Sequence, residues 1–85
     1  MRQIDCVISS ELGLHARPAG LIVKAAGQFE SSIAFICQNK QADGKKIFAL
    51  MGLGAKQGDL VNVVIEGSDE EKAAGALLPI LQEYL

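Results

Sequence analysis

The chain opens with an alternation. Residues 3–9 put Ile4, Cys6 and Ile8 on one side and Asp5, Val7 and Ser9 on the other, the period-two pattern of a half-buried strand. Gly13 then punctuates the chain. From Pro18 onward Ala19, Ile22, Val23 and Ala26 recur at helical spacing, with Gly27 near the end. Residues 32–37 suit a second strand with Ile33, Phe35 and Cys37 inward. A turn is expected at Asn39-Lys40, followed by a short, weak strand through Asp43-Gly44. Lys45 to Leu53 reads as a short helix with Ile47, Leu50 and Met51 inward, closed by Gly52 or Gly54. The strongest strand spans residues 60–66, where Val61, Val63 and Ile65 alternate against Leu60, Asn62 and Val64 before Gly67 breaks it.

Ser68-Asp69-Glu70-Glu71 then predicts a capping box, with the Ser68 hydroxyl and the Glu71 carboxylate meeting reciprocal backbone donors. The final helix is expected to bury a stripe of Ala73, Leu77, Ile80 and Tyr84. Pro79 lies in its interior and predicts a kink that costs about 3 kcal/mol if nothing relaxes. The order β-α-β-β-α-β-α implies an α+β fold over residues 1–85 as one domain, a four-stranded sheet with helices on one face. In that arrangement Val7, Ala34, Ile36, Leu60 and Val64 fall on the uncovered face, an apolar patch where solvent is expected and a candidate for weak self-association.

Composition narrows the function. The chain has 85 residues, and its eight Lys+Arg against ten Asp+Glu give a net charge of −2, which speaks against nucleic-acid binding held by phosphate contacts. No apolar run approaches the ~20 residues needed to cross a membrane. The acid in Met-Arg-Gln-Ile-Asp sits where the apolar core of a signal peptide would begin. A cytoplasmic protein is therefore expected. Cys6 and Cys37, 31 residues apart with a single His in the chain, do not compose a zinc site; they read as buried thiols in a reducing compartment. Neither a metal nor a cofactor is expected.

The single His is His15, in Gly13-Leu14-His15-Ala16-Arg17-Pro18-Ala19. It follows a loop glycine and precedes a helix start at which Pro18 is tolerated. The unpaired N–H groups of Ala16 and Arg17, together with the helix dipole, then form an anion site beside the imidazole. The Arg17 guanidinium matches phosphate oxygens. The same field favours the neutral, nucleophilic ring. A phosphoryl group carried on His15 would meet donors already in place. On spacing alone, a loop histidine satisfying a backbone group, beside a solvated arginine, is the preferred account of these residues.

The heptad resembles the active-site signature of the HPr family, the histidine-containing phosphocarriers of the bacterial phosphoenolpyruvate:sugar phosphotransferase system. The segment Lys45-Lys46-Ile47-Phe48-Ala49-Leu50-Met51-Gly52-Leu53-Gly54-Ala55-Lys56-Gln57-Gly58-Asp59 resembles the family's second signature. The length and the element order agree over essentially the whole chain. The resemblance implies an open-faced β-sandwich with an antiparallel sheet in the order 1-4-2-3. It implies that His15 accepts a phosphoryl group through Nδ1 from phosphorylated enzyme I and passes it to sugar-specific IIA components, with Arg17 stabilising the phosphoryl oxygens. It also places Ala16, Gly20, Ile47, Phe48 and Met51 around the histidine, with Lys24 at the edge, as the surface both partners use. Phe48 beside Met51 is the expected hot spot.

The sequence departs from the family pattern in three places near the site. Lys46 stands where Gram-positive members carry a regulatory serine, so regulation by serine phosphorylation there is not expected. Leu12 replaces a small polar residue, and Gly20 a bulkier one, at up to ~1 kcal/mol of helix stability. These changes leave a second reading, an HPr-like regulatory module that acts by protein contact without sugar-transport phosphotransfer. Retention of His15 and Arg17 favours the carrier, because a contact module has no chemical need of the nucleophile.

Overall fold

The computed structural model describes residues 1–85. Strand β1 spans Arg2–Val7, helix α1 Ala16–Ala26, β2 Ser32–Cys37, β3 Lys40–Asp43, α2 Ile47–Gly52, β4 Leu60–Glu66 and α3 Glu70–Tyr84. The four strands form one antiparallel sheet in the order β1-β4-β2-β3. This is the β-α-β-β-α-β-α order and the sheet order expected.

The alternation read from the sequence is the alternation of burial. Ile33, Phe35 and Cys37 on β2 and Val61, Val63 and Ile65 on β4 are buried. They pack against Ala19, Ile22 and Ala26 of α1, Leu50 of α2, and Ala73, Leu77 and Leu81 of α3 in one core. Each fully buried Leu, Ile, Val or Phe contributes on the order of 1.5–3 kcal/mol. No helix is long and apolar enough to cross a membrane.

On the other face, Val7 and Leu60 are exposed and paired, and Ala34, Ile36 and Val64 are half-buried. Asn62 lies between them, its amide donating to the Asp5 carboxylate at 2.6 Å, so a polar row crosses the apolar patch. Cys37 is buried and Cys6 half-buried, and burial raises the pKa of both thiols. Strand β4 runs between theirs. Two strand spacings are roughly 9.5 Å, too far for a disulfide without backbone movement.

Several boundaries differ from the sequence reading for identifiable reasons. The hairpin turn sits at Gln38-Asn39 rather than Asn39-Lys40, both at positive φ (48° and 68°), the geometry that matches the twist of paired strands. Helix α2 begins at Ile47 rather than Lys45, because Asp43 holds Lys45 and Lys46 in a turn: its carboxylate accepts the Lys45 N–H at 2.9 Å and its carbonyl the Lys46 N–H at 3.1 Å. In α3, Leu81 and the terminal Leu85 are buried, whereas Ile80 and Tyr84 are half-buried. The helix continues through Pro79. The carbonyl that Pro79 leaves without a helical donor belongs to Gly75, which is exposed.

The capping box does not form. The N-cap of α3 is Asp69, not Ser68. The Asp69 carboxylate leaves its own helix and ties down the loop before β2. Oδ2 accepts the Glu30 N–H at 2.9 Å, and Oδ1 accepts the Ser31 N–H at 2.9 Å and the Ser31 hydroxyl at 2.5 Å. Glu70, not Glu71, reaches back to the Gly67 N–H at 3.2 Å. Gly67 makes the approach possible: its φ is +155°, and a Cβ there would lie 2.6 Å from Ser31 Cα. A distant partner with three donors thus outcompetes the local cap.

The Ser31 hydroxyl, and with it the Glu30 and Ser31 amides, hold the Asp69 carboxyl down from its ordinary 3.8 to about 2. A depressed carboxylate favours the native state above its unfolded value and loses that contribution as pH falls through the folded one. Asp69→Asn is therefore expected to lower the melting temperature at neutral pH and to flatten its decline between pH 3.8 and about 2, as read by thermal melts across that range.

Candidate functional site

The site is built on a loop that has little choice of path. Ile8 is buried, donates to the Asp59 carbonyl at 3.0 Å and accepts from the Gly58 N–H at 2.7 Å. This pins the exit of β1 to the loop before β4. Gly13 then crosses the same loop at φ +68°, where a Cβ would stand 2.4 Å from the Ala55 carbonyl oxygen. That close approach lets the Leu14 N–H donate to the Ala55 carbonyl at 3.1 Å. The Leu14 side chain is buried, as expected of an anchor. The role of Ala55 was not legible, since an alanine carbonyl carries no sequence signal.

His15 follows directly. It is the N-cap of α1, extended at φ −98° and ψ −174°. Its carbonyl accepts the Ala19 N–H at 3.1 Å, but its side chain makes no capping bond. The ring is therefore half-buried and uncommitted. Of the four N–H positions that open α1, Pro18 has no hydrogen and Ala19 is satisfied by His15. The amides of Ala16 and Arg17 remain as the two free donors, at the positive end of an 11-residue helix. No acid occupies the first turn. The Arg17 side chain is exposed and takes part in neither ion pair of the molecule. One small anion bonded to the ring would find two amides and a guanidinium with no internal competitor.

Helix α2 lies against this helix. A Cβ on Gly20 would stand 3.8 Å from Ile47 Cδ1, so the absent side chain leaves room for Ile47 to sit beside α1. Ile47 is half-buried there and Leu50 fully buried. Met51, expected inward on periodicity, is 38% exposed, and Phe48 is 84% exposed. Leu12, in the loop before His15, is also exposed. Ala16, Gly20 and Lys24 repeat at i, i+4 and i+8 and so share one side of α1, with Lys24 exposed in its last turn. Lys46 is the exposed N-cap of α2, whereas the Lys45 ammonium is engaged by the Phe29 carbonyl at 2.7 Å. The surface is apolar at its middle with cations around it.

It is also a surface without a cleft. None of the three depressions on the molecule includes any residue of 12–20 or 46–54.

A family model for the "PTS HPr component phosphorylation site" matches residues 3–83. The chain belongs to the HPr family. It is 35% identical to the phosphocarrier protein HPr of Mycoplasma pneumoniae, across 99% of this chain and 97% of that one. A solved histidine-containing phosphocarrier protein of Mycoplasma superposes with a TM-score of 0.91 at 32% identity, covering 93% of this chain and 90% of that one. An HPr from Thermoanaerobacter tengcongensis superposes with a TM-score of 0.88 at 40% identity, covering 96% and 92%. HPr is a phosphocarrier of the phosphotransferase system, and the open sheet covered on one face by three helices is its fold.

Gly13→Ala tests how the loop carries the site. It forces a side chain into the left-handed region and onto the Ala55 oxygen, at a cost of at least ~2 kcal/mol. Urea unfolding should show that loss. A variant as stable as the parent would show that the contact with Ala55 is dispensable.

Proposed function

We propose that His15 is the residue that carries the phosphoryl group, that enzyme I delivers it, and that sugar-specific IIA components remove it in the cytoplasm. The observation that supports this reading is the pair of free amides at Ala16 and Arg17 beside a side chain with no other hydrogen-bonding duty. In the transfer, Nδ1 of the ring attacks phosphorus as the bond between the phosphoryl group and the donor breaks. The two amides and the Arg17 guanidinium take the phosphoryl oxygens, and the group leaves by the reverse displacement toward the acceptor. Charge-assisted bonds of this kind are the strong ones. Because the displacement is readily reversed, the chain is a substrate of its partners rather than a turnover catalyst.

Docking in this reading uses the side of the molecule that holds Gly20, Ile47, Phe48 and Met51, with Lys24 and Lys46 as its basic rim. Lys46 offers no hydroxyl to a serine kinase and adds a permanent positive charge. Phe48, at 84% exposed, is the one large aromatic available to a partner's pocket.

Incubation with phosphoenolpyruvate and enzyme I should label the protein with one acid-labile, base-stable phosphate. His15→Ala should abolish the label, and an unlabelled parent would overturn the proposal. Arg17→Ala should slow transfer roughly 10²-fold, the usual scale for removing one preorganised donor. Phe48→Ala should raise the KM for enzyme I about tenfold with kcat little changed, the scale of an interface anchor.

A further inference from the structure

The peptide group that links Ala55 to Lys56 is held at both ends. Its oxygen accepts the Leu14 N–H at 3.1 Å, the contact that sets the path of the chain into His15. Its N–H donates to the Asp59 carboxylate at 2.9 Å. The group is planar and trans, so its N–H and C=O point in opposite directions. One rotation moves both, and whatever fixes the N–H also fixes the oxygen that Leu14 uses. Gly54, the residue before, lies at φ +66° with open space around it and does not brace the plane. The buried Ala55 methyl anchors one end of it and leaves it free to turn. The Lys56 side chain is exposed and joins neither ion pair.

Asp59 grips Lys56 from two directions. Its own N–H donates to the Lys56 carbonyl at 2.9 Å, while its Oδ2 accepts the Lys56 N–H. The residue is fixed in its turn. Its carbonyl accepts the Ile8 N–H at 3.0 Å, and its Oδ1 accepts the Gln38 side-chain amide at 3.1 Å. Gln38 sits in the β2–β3 turn at φ 48°, so the carboxylate is braced from a second element. Asp59 is half-buried and joins neither ion pair, which leaves its charge to these two hydrogen bonds. An ionised acceptor polarises the amide it binds and makes the far oxygen a better acceptor for Leu14. The Gln57 side-chain amide adds another tie, to the Ser9 carbonyl at 3.1 Å, but it holds the loop well upstream of His15 rather than beside it.

We propose that Asp59 is a positioning residue for the phosphoryl site. Its carboxylate fixes the Ala55–Lys56 plane, the plane holds Leu14, and Leu14 sets where the His15 ring and the free amides of Ala16 and Arg17 stand. Asp59 acts through this one peptide group and not on the transferred phosphate. The inference rests on the reading of His15 as the carrier and adds a residue outside the signature around it.

Asp59→Ala should let the Leu14 amide exchange with solvent about tenfold faster, the scale of losing one charge-assisted bond. Transfer from phosphorylated enzyme I should lose about tenfold in kcat, within the ~10²-fold that a displacement of about 1 Å costs. The KM for enzyme I should stay within roughly twofold of the parent, because Gly20, Ile47, Phe48 and Met51 are untouched. Asp59→Asn keeps an acceptor oxygen for Lys56 and should bring both exchange and kcat back to within about threefold of the parent. Gln38→Gly suits the positive φ and removes the brace on the carboxylate. It should shift exchange and kcat in the same direction by less, and it decides the matter if urea unfolding shows that Asp59→Ala does not fold. Parent-like Leu14 exchange in Asp59→Ala overturns the proposal, as does quickened exchange with kcat unchanged. An Asp59→Asn variant as slow as Asp59→Ala overturns it too, since the effect would then belong to the charge and not to the bond. A parent that takes up no phosphate overturns the carrier reading instead, and Leu14 exchange in Asp59→Ala still decides whether Asp59 holds the loop.

Discussion

The arrangement at His15 depends on one backbone contact, the crossing of Gly13 and Leu14 over the Ala55 carbonyl. The core fixes both sides of that crossing. Ile8 is held to the loop before β4, and the buried side chains of Leu14, Leu53 and Ala55 fill the space beneath. The chain then has one residue, His15, in which to turn from loop to helix. Its extended backbone sets its carbonyl to receive the Ala19 N–H and leaves its ring unused. The chemistry is thus placed by packing some distance from it. In the proposed carrier a residue chosen for conformation (Gly13) would count for as much as the one that reacts.

The second constraint is the absence of concavity. In the proposed transfer the cargo passes between two other proteins, so the walls that exclude water would belong to those partners. What this chain supplies is a flat apolar centre, of which Phe48 and Met51 are the most exposed members, and cations that nothing internal neutralises. Lys45 is the exception, because its ammonium is bound to the Phe29 carbonyl and serves the fold.

The strands and helices were legible because each has one face in a single core, and alternation or helical spacing reports that face directly. Val61, Val63 and Ile65 are the clearest case. The free amides of Ala16 and Arg17 beside His15 were legible from the proline behind them, whereas the phosphoryl role proposed for these residues comes only from the resemblance to a family. Long-range polar bonds were not legible. Ser68-Asp69-Glu70-Glu71 carries every local sign of a capping box, yet Asp69 bonds to Glu30 and Ser31, nearly forty positions away in the chain. The Ala55 carbonyl escaped notice for the same reason, since backbone acceptors are identical in every sequence. Met51 misled because in a six-residue helix a periodicity has too few repeats to separate its faces.

Pro18 deletes one of the donors with which α1 could otherwise grip an anion. In the proposed carrier a fuller cradle would hold the phosphoryl group more tightly and, by the same measure, make it harder to surrender. An incomplete one would keep the free-energy drop on loading small, so onward delivery would not have to climb out of a well. An imino ring in the first turn of the helix would thus set the tightness of the grip.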